Sequence, residues 1–534
     1  MANSHELEGV HAVVIGAGVA GLGTALALSR QGHRVTIIER DATPMPTDAD
    51  AAFAWDRRGA PQVRHSHALL ALLRNTLRDR YPDVLEALLD AGATEMRFAE
   101  MLPEGIDDPS PAPGDDDLVA LACRRTTFEW VLRRVVLDDP RVTLLDGSAA
   151  VGLAFHESSA QPLVTGVLVS QVEPGGSPRT SASSPSSHEL AADLVIAANG
   201  RRSAAVGWLT DAGIGVEVQE EDTGIVYLSR FYRLHDGAVP PVQEGPIGGD
   251  LGYLKYAVFQ GDNRTFSITF AVRTKDDELR AKLLDPAGFD EAGRVLPATS
   301  AWADPELASA ITGVHVMAGL LNRHIRFTDR DGDPLVLGFH AVGDAHTCTN
   351  PLYGRGCSLG IAQANLLADA LAHEGLDHEA RARAYETASA ARIEPWYHAS
   401  VQQDRMARDA ARREQAAATA PTPSEGTVVP SDSSDRSPTE NTSAGQPGSL
   451  PTHHDPQAFL RDLLIDGVFP ALRLHAVVFR AFVRMFNLLD PPDALFGNPE
   501  LLSIVMATYQ SRDEREREQP LGPPRHEMLA ALAA

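Results

Sequence analysis

The chain has 534 residues, 43% of them hydrophobic, and a formal net charge of −25. That length exceeds one ordinary domain and the apolar share fills large cores, so two or three globular units are expected. A surface this acidic repels nucleic acid and anionic lipid, and both are excluded as expected partners.

Three cysteines, Cys123, Cys348 and Cys357, form no C-x-x-C pair and are too few for a disulfide framework. The opening residues MANSHELEG lack a basic stretch followed by an apolar one, so no export signal is expected. No apolar run reaches the roughly 18 residues a transmembrane segment needs. The expected location is a reducing cytoplasm.

His11–Ile15 reads as a short buried strand, Val19–Gln31 as an Ala/Leu-rich helix stopped by Gly32, and Arg34–Ile38 as a second strand. This is a βαβ opening. Gly16-Ala17-Gly18-Val19-Ala20-Gly21 falls between strand and helix, the context in which G-x-G-x-x-G binds a dinucleotide. Gly16 permits the turn, Gly18 admits a pyrophosphate to the backbone, and Gly21 lets helix and strand pack closely. The helix start offers free N–H groups to the phosphates. Glu39 closes the second strand, where a carboxylate accepts from ribose hydroxyls.

A loop follows, Arg57-Arg58-Gly59-Ala60-Pro61-Gln62-Val63-Arg64-His65-Ser66-His67. Its two histidines lack a Cys or carboxylate cluster, so no metal is assigned. Arg124-Arg125-Thr126-Thr127-Phe128-Glu129 opens a helix. Val142–Leu145 and Val164–Val169 are strands, and Ser/Pro/Gly-rich Glu173–Ser187 is expected to be an exposed hairpin loop or a disordered insertion. Asp193–Ala198 is an apolar strand ending at Asn199-Gly200.

Residues 205–335 change character. Thr265–Val272 alternates, with Phe266, Ile268, Phe270 and Val272 on one face and Thr265, Ser267 and Thr269 on the other. With strand-like, aromatic-bearing Ile225–Leu234 and Tyr253–Phe259, it predicts an antiparallel sheet with one face covered, a wall for a substrate pocket. The aromatics imply an apolar or aromatic substrate. Val336–Val342 is a buried strand followed by Gly343-Asp344, then Pro351, Gly354, Gly356 and a helix. Residues 377–418 have long-helix periodicity, 419–454 are expected to be a disordered linker, and 456–510 return to apolar helices including Phe469–Leu489. Cys348 and Cys357 are expected to be inert.

The Gly343-Asp344…Gly354-x-Gly356 stretch resembles the second FAD signature of the aromatic-hydroxylase class of flavoproteins. There the Asp binds the ribityl chain, and the helix start faces the pyrimidine edge of the flavin, where reduced flavin is negative. In that class an Arg followed four residues later by Glu contacts the cofactor, which selects Arg125 over Arg124. The R-x-G-x-P-Q-x-R-H-x-H loop from Arg57 to His67, with Asn350, Pro351, Tyr353, Gly354, Gly356 and Ser358 in step, resembles the bacterial flavin monooxygenases that include the polyene epoxidases of polyether biosynthesis. The resemblance covers about residues 10–370 in pattern. It implies FAD held by Gly16, Gly18, Ala20, Gly21, Glu39, Arg40, Arg58, Gln62, His65, Arg125, Gly343, Asp344, Pro351, Gly354 and Gly356.

The same resemblance implies a secondary-metabolism monooxygenase that inserts one atom of O2 through a flavin C4a-hydroperoxide, by epoxidation or hydroxylation. The cofactor carries the hard chemistry, so no side chain is assigned as catalytic. Many single-component hydroxylases have Asp-Gly, tied to NADPH, where this chain has Asn199-Gly200. Electrons are therefore expected from NAD(P)H directly or through a separate flavin reductase. The W-x-W-x-I-P pattern of halogenases is absent. The alternatives are a flavin dehydrogenase or reductase without oxygen insertion, and a non-catalytic flavin-binding protein. The expected fold is α/β (α+β). It has a Rossmann-like FAD-binding domain in two parts (1–204 and 336–376), an antiparallel-sheet substrate domain (205–335) and a helical C-terminal region (377–534).

Overall fold

The computed structural model describes residues 9–156, 161–172, 187–241, 248–419, 456–515 and 520–533. The stretches 173–186 and 420–454, expected to be a loop and a linker, lie outside the described residues. The elements that place the site are, in chain order, β1 (His11–Ile15), α1 (Val19–Arg30), β2 (Arg34–Ile38), α2 (Arg125–Asp138), β3 (Val142–Leu145) and β4 (Leu194–Ala197). They continue with β5 (Ile225–Leu234), β6 (Leu254–Gln260), β7 (Thr265–Arg273), β8 (His315–Met317), β9 (Leu321–Arg326), β10 (Phe339–Ala341) and β11 (Thr347–Cys348). Last come α3 (Gly356–Glu374), α4 (Glu394–Thr419) and α5 (Ala476–Phe486).

Five parallel strands form the first sheet, in the order β10-β4-β1-β2-β3. Parallel strands are covered on both faces, which explains why Val13, Val14, Val195 and Ile196 all reach zero exposure. On one side Val14 and Ile196 share a core with Leu22 and Leu26 of α1, Phe128 of α2 and Leu367 of α3. The near-continuous Ala/Leu composition of α1 follows from this, since it is buried almost all round. The whole architecture is the mixed α/β one expected.

The second sheet is antiparallel. It pairs Gly248–Asp250 with β6, β6 with β7, β7 with β5, and β5 with both Ala308–Ala310 and β8. The alternation in β7 holds, but its consequence is different from the expected one. Phe266, Ile268, Phe270 and Val272 join a core with Leu279, Leu283, Phe289 and Trp302 on the outer helical side. The Ser267/Thr269 face is buried too, against the His65–His67 loop. In β7 the aromatic face therefore packs on the helical side, with Phe266 also reaching the pocket, and the opposite face carries Ser267 and Thr269 beside Phe231 and Phe259 of the neighbouring strands.

Two helical expectations need correction. The pattern over 377–418 is two helices, His378–Arg392 and α4, meeting at Ile393. The stretch Phe469–Leu489 is broken at His475, which is extended (φ −126°, ψ 111°). Asp107 explains the break. Its carboxylate accepts from the Ala476 N–H at 2.8 Å and contacts His475 Nδ1 at 2.9 Å, capping α5 from outside. Arg480 on α5 bonds Asp115 at 2.9 Å, so this helix docks on the N-terminal part of the chain. Residues 520–533 also reach inward. Met528 is fully buried in the second sheet's core, and Tyr253 donates to the Pro523 carbonyl at 2.8 Å. No helix among the described residues is long and apolar enough to cross a membrane.

One buried ion pair ties the two sheets. Asp262, in the β6–β7 turn, accepts from the Arg124 N–H (2.7 Å), from Arg124 Nη2 (2.5 Å) and from Thr127 Oγ1 (2.9 Å). Both side chains are at most 1% exposed. Asp262→Ala leaves a buried guanidinium uncompensated and should cost about 3–5 kcal/mol. Urea unfolding followed by circular dichroism should show a lower midpoint, with an unfolding free energy reduced by about that amount.

Candidate functional site

The turn after β1 has the geometry its glycines require. Gly16 sits at φ +103°, and a Cβ there would lie 2.9 Å from the Ala198 carbonyl oxygen. A Cβ at Gly21 would lie 1.9 Å from the Gly16 oxygen. Gly18 is different, because a Cβ there meets nothing within 4 Å. Gly18 is also the N-cap of α1, with no side-chain cap and no acid in the first turn. The unpaired N–H groups of the helix start thus face open space, the arrangement that receives a phosphate.

A second glycine-rich segment meets the first. Gly343 (φ +64°) follows β10, and its backbone N–H donates to Gln363 Oε1 at 2.8 Å. A Cβ on Gly343 would lie 2.6 Å from the Ala20 methyl, and one on Gly360 would lie 3.4 Å from it. The start of α1 is therefore packed against the Gly343–Ala345 turn and the first turns of α3. Burial raises the pKa of Asp344, against a pull downward from Arg201 and Cys348. Pro351–Tyr353 forms a short 3-10 turn capped by Asn350, whose Oδ1 accepts from Leu352 N at 3.0 Å. Gly354 (φ +65°) is held against Ala68. Then α3 begins at Gly356, again without a side-chain cap and with open space at the Cβ position. Its 19 residues direct a positive dipole end there.

The loop around Asn350 is fixed from behind. Asp404 on α4 accepts from Asn322 Nδ2 (2.6 Å), Asn350 Nδ2 (2.8 Å) and Tyr353 OH (3.1 Å). The Arg355 guanidinium lies between the Tyr353 and Trp396 rings, 4.7 Å from each, and burial pushes its pKa down to about 10.

Beside β2 lies a cluster of three arginines and three acids. Glu39 accepts from Ala17 N (3.0 Å) and Asp41 N (2.9 Å). Arg57 bonds Glu129 (2.7 Å), Asp41 (3.2 Å) and the Ala17 carbonyl (3.1 Å), over the Trp55 ring. Burial alone would lower its pKa; Glu129, Glu39 and Asp41 outweigh that and raise it. Burial would likewise raise Glu129, but Arg125 and then Arg57 hold it below the usual carboxylate range. Arg125 pairs with Glu129 at 2.7 Å through one nitrogen. Its Nε and Nη1, and Nε of Arg133, are buried with no hydrogen-bond partner among the described residues. Unfilled donors on a buried guanidinium fit an absent polar or anionic group. With the open space at the Cβ positions of Gly18 and Gly356, these donors fit a bound dinucleotide.

The residues expected at the cofactor are thus partly assembled. Gly16, Gly18, Ala20, Gly21, Gly343 and Asp344 lie where α1 meets the turn after β10, and Pro351, Gly354 and Gly356 lead into α3, with Gly354 against Ala68. Glu39 and Arg125 lie in the adjoining charged cluster. Arg40 is exposed, and Arg58 is exposed with its side chain on Asp56 at 2.9 Å. The arginine turned inward is Arg57. Gln62 is half-buried, and His65 is buried against Ser229 of β5, with Nδ1 at 3.1 Å from Oγ. Arg124 is paired with Asp262 and also lines the pocket beside Arg125.

A family model described as FAD dependent oxidoreductase matches residues 11–104. Protein Rv3254 from Mycobacterium tuberculosis is 30% identical over 379 residues, covering 68% of this chain and 73% of that one. The chain belongs to the family of that protein, and it is an FAD-dependent oxidoreductase. Among solved structures this oxidoreductase is similar to a PqsL mutant from Pseudomonas aeruginosa, with a TM-score of 0.54, 16% identity, 77% of this chain and 98% of that one covered. It is also similar to PqsL in complex with 2-aminobenzoylacetate, with a TM-score of 0.52, 16% identity and the same coverage. PqsL itself is described as a probable FAD-dependent monooxygenase. At this identity the likeness shows the fold.

Asp404→Ala would strand the buried Asn350 and Asn322 amides, at about 1–3 kcal/mol for each unpaired group. The expected outcome is a lower melting temperature together with weaker FAD retention on gel filtration.

Proposed function

We propose that this oxidoreductase is a monooxygenase that inserts one atom of O2 into a small molecule bearing an apolar or aromatic part, by hydroxylation or epoxidation. The observation that carries the reading is the convergence of the two glycine-rich turns at the Ala20–Gly343 contact, each opening an uncapped helix into free space. In this reading Gly16, Gly18 and Gly21 with the start of α1 hold the diphosphate. Glu39 and Arg57 line the ribose side, and Arg125 offers its free donors to the cofactor. Asp344 takes the ribityl chain, and the start of α3 stabilises negative charge at the flavin's pyrimidine edge.

Bound FAD supplies two-electron reduction and reaction with O2. The chain's part is to position, enclose and exclude water. Phe231 and Phe259 line a small pocket beside Arg125 and the His65–His67 loop. Electrons come from NAD(P)H directly or from a separate flavin reductase. The end of β4, where Asn199 is exposed and uncharged, favours the separate reductase.

Two measurements test this. Gly18→Val puts its side chain into open space, so the expected protein is folded but colourless, with FAD binding lost in a fluorescence titration. Reduced, FAD-loaded wild type supplied with 18O2 and a panel of aromatic and polyene compounds should give product carrying one labelled atom. Turnover without label would overturn oxygen insertion in favour of a flavin dehydrogenase.

A further inference from the structure

The helix Ala71–Arg80 begins just past the His65–His67 loop, and its N-cap position holds Leu70, whose side chain cannot accept a hydrogen bond. The acceptors come from 416 positions away. Asn487 Oδ1 takes the Ala71 N–H at 2.9 Å, and the Asn487 backbone carbonyl takes the Leu72 N–H at 3.2 Å. One residue at the end of α5 thus satisfies the first two N–H groups of a helix near the other end of the chain. Asn487 is fully buried, and its Nδ2 donates to the Val483 carbonyl at 3.0 Å, which keeps Oδ1 turned to the helix.

The next residue, Leu488, lies in the left-handed region at φ +63°, which bulky side chains rarely enter. It is 6% exposed. Its side chain joins a core with Leu70, Leu359 of α3, Ile393 and Trp396 of α4, and Ala68 packs against that core. Ala68 is also the residue that Gly354 is held against, since a Cβ on Gly354 would lie 2.8 Å from the Ala68 methyl. Trp396 is one of the two rings that hold Arg355. A strained backbone persists where its surroundings over-determine it. Leu70 explains the demand here. It serves the core behind the Gly354 turn, so it cannot also be the polar cap of its own helix. One distant residue supplies the cap, and its neighbour supplies the packing.

We propose that Asn487 and Leu488 are positioning residues for the FAD site, acting through the turn that leads into α3. The inference rests on the functional reading above, in which the start of α3 meets the flavin's pyrimidine edge. Both residues act through others. Asn487 fixes the start of the helix Ala71–Arg80, and with it the segment Ala68–Leu70. Leu488 fills the space behind Leu70 and Leu359. With both in place Ala68 cannot recede from Gly354, and the turn from Gly354 to Gly356 keeps the shape that aims the open end of α3. The base of this clamp is tied to the N-terminal part of the chain, where Asp107 caps α5 and Asp115 holds Arg480. Loss of either residue lets Ala68 withdraw, and the start of α3 is then held less firmly against the cofactor.

The test titrates FAD into the full-length protein by fluorescence quenching and measures the midpoint potential of the bound flavin against redox dyes. Asn487→Ala removes the cap, and FAD should bind roughly five- to tenfold more weakly, the fold-change that one lost helix cap corresponds to. At saturating FAD the potential should become more negative, because a displaced helix start stabilises the reduced, anionic flavin less. Asn487→Asp keeps the accepting oxygen and should restore both. Leu488→Ala should reproduce the effect of Asn487→Ala, and it serves alone should that variant not fold. Met528→Ala empties a buried place in the second sheet's core and is the structural control. It should lower the melting temperature and leave FAD affinity and potential as in the wild type. Wild-type affinity and potential in either alanine variant at the clamp, no recovery in Asn487→Asp, or an equal loss in Met528→Ala overturns the proposal. A wild-type protein that takes up no FAD would instead overturn the reading of the site.

Discussion

The Ala20 methyl seated between Gly343 and Gly360 is the contact on which the site depends. It brings the start of α1 and the start of α3, more than three hundred residues apart in the chain, to one place. Each helix contributes an uncapped end, and neither alone makes a site longer than a single phosphate. A side chain at Gly343 would force the two segments apart, because its Cβ would lie 2.6 Å from a methyl group rather than a flexible tip, whereas a Cβ at Gly360 would only reach contact distance at 3.4 Å. The fold behind them serves this approach. The parallel strand order puts β10 two strands from β1, so the two glycine turns leave the same edge of the sheet.

Charge is handled by pairing rather than by exposure. The cluster of Arg57, Arg125 and Arg133 with Glu39, Asp41 and Glu129 has matched formal signs, although several of its groups are almost fully buried. The unfilled donors on Arg125 show where the balance is incomplete in geometry though not in sign.

Much of this was legible in the sequence, and the limits have physical causes. Local signals worked: β1, β2 and the glycine turns are set by neighbours within a few residues, and they appear where the pattern placed them. The choice between Arg58 and Arg57 was not local. It depends on Trp55 as a platform and on Glu129, 72 positions away. Asp404 gave no signal, since an acid in a polar helix looks solvent-facing until the loop it holds is folded against it. The period of β7 was readable, but not which of its faces meets the site. Alternation defines two faces and leaves their assignment to the helices packed on one of them. The break at His475 was hidden for the same reason, because its cause is Asp107, far away in the chain.

The reach of residues 520–533 into the second sheet has a consequence in time. Tyr253 finds its carbonyl partner 270 positions downstream, and Met528 fills a gap among residues more than two hundred positions earlier. A ribosome making some 5–20 residues each second needs tens of seconds to cover that interval. Until then the sheet that walls the pocket lacks part of its core, while the βαβ unit at the start of the chain already has all its local partners. The nascent protein therefore passes through a stage in which the dinucleotide half is formed and the chamber beside it is not.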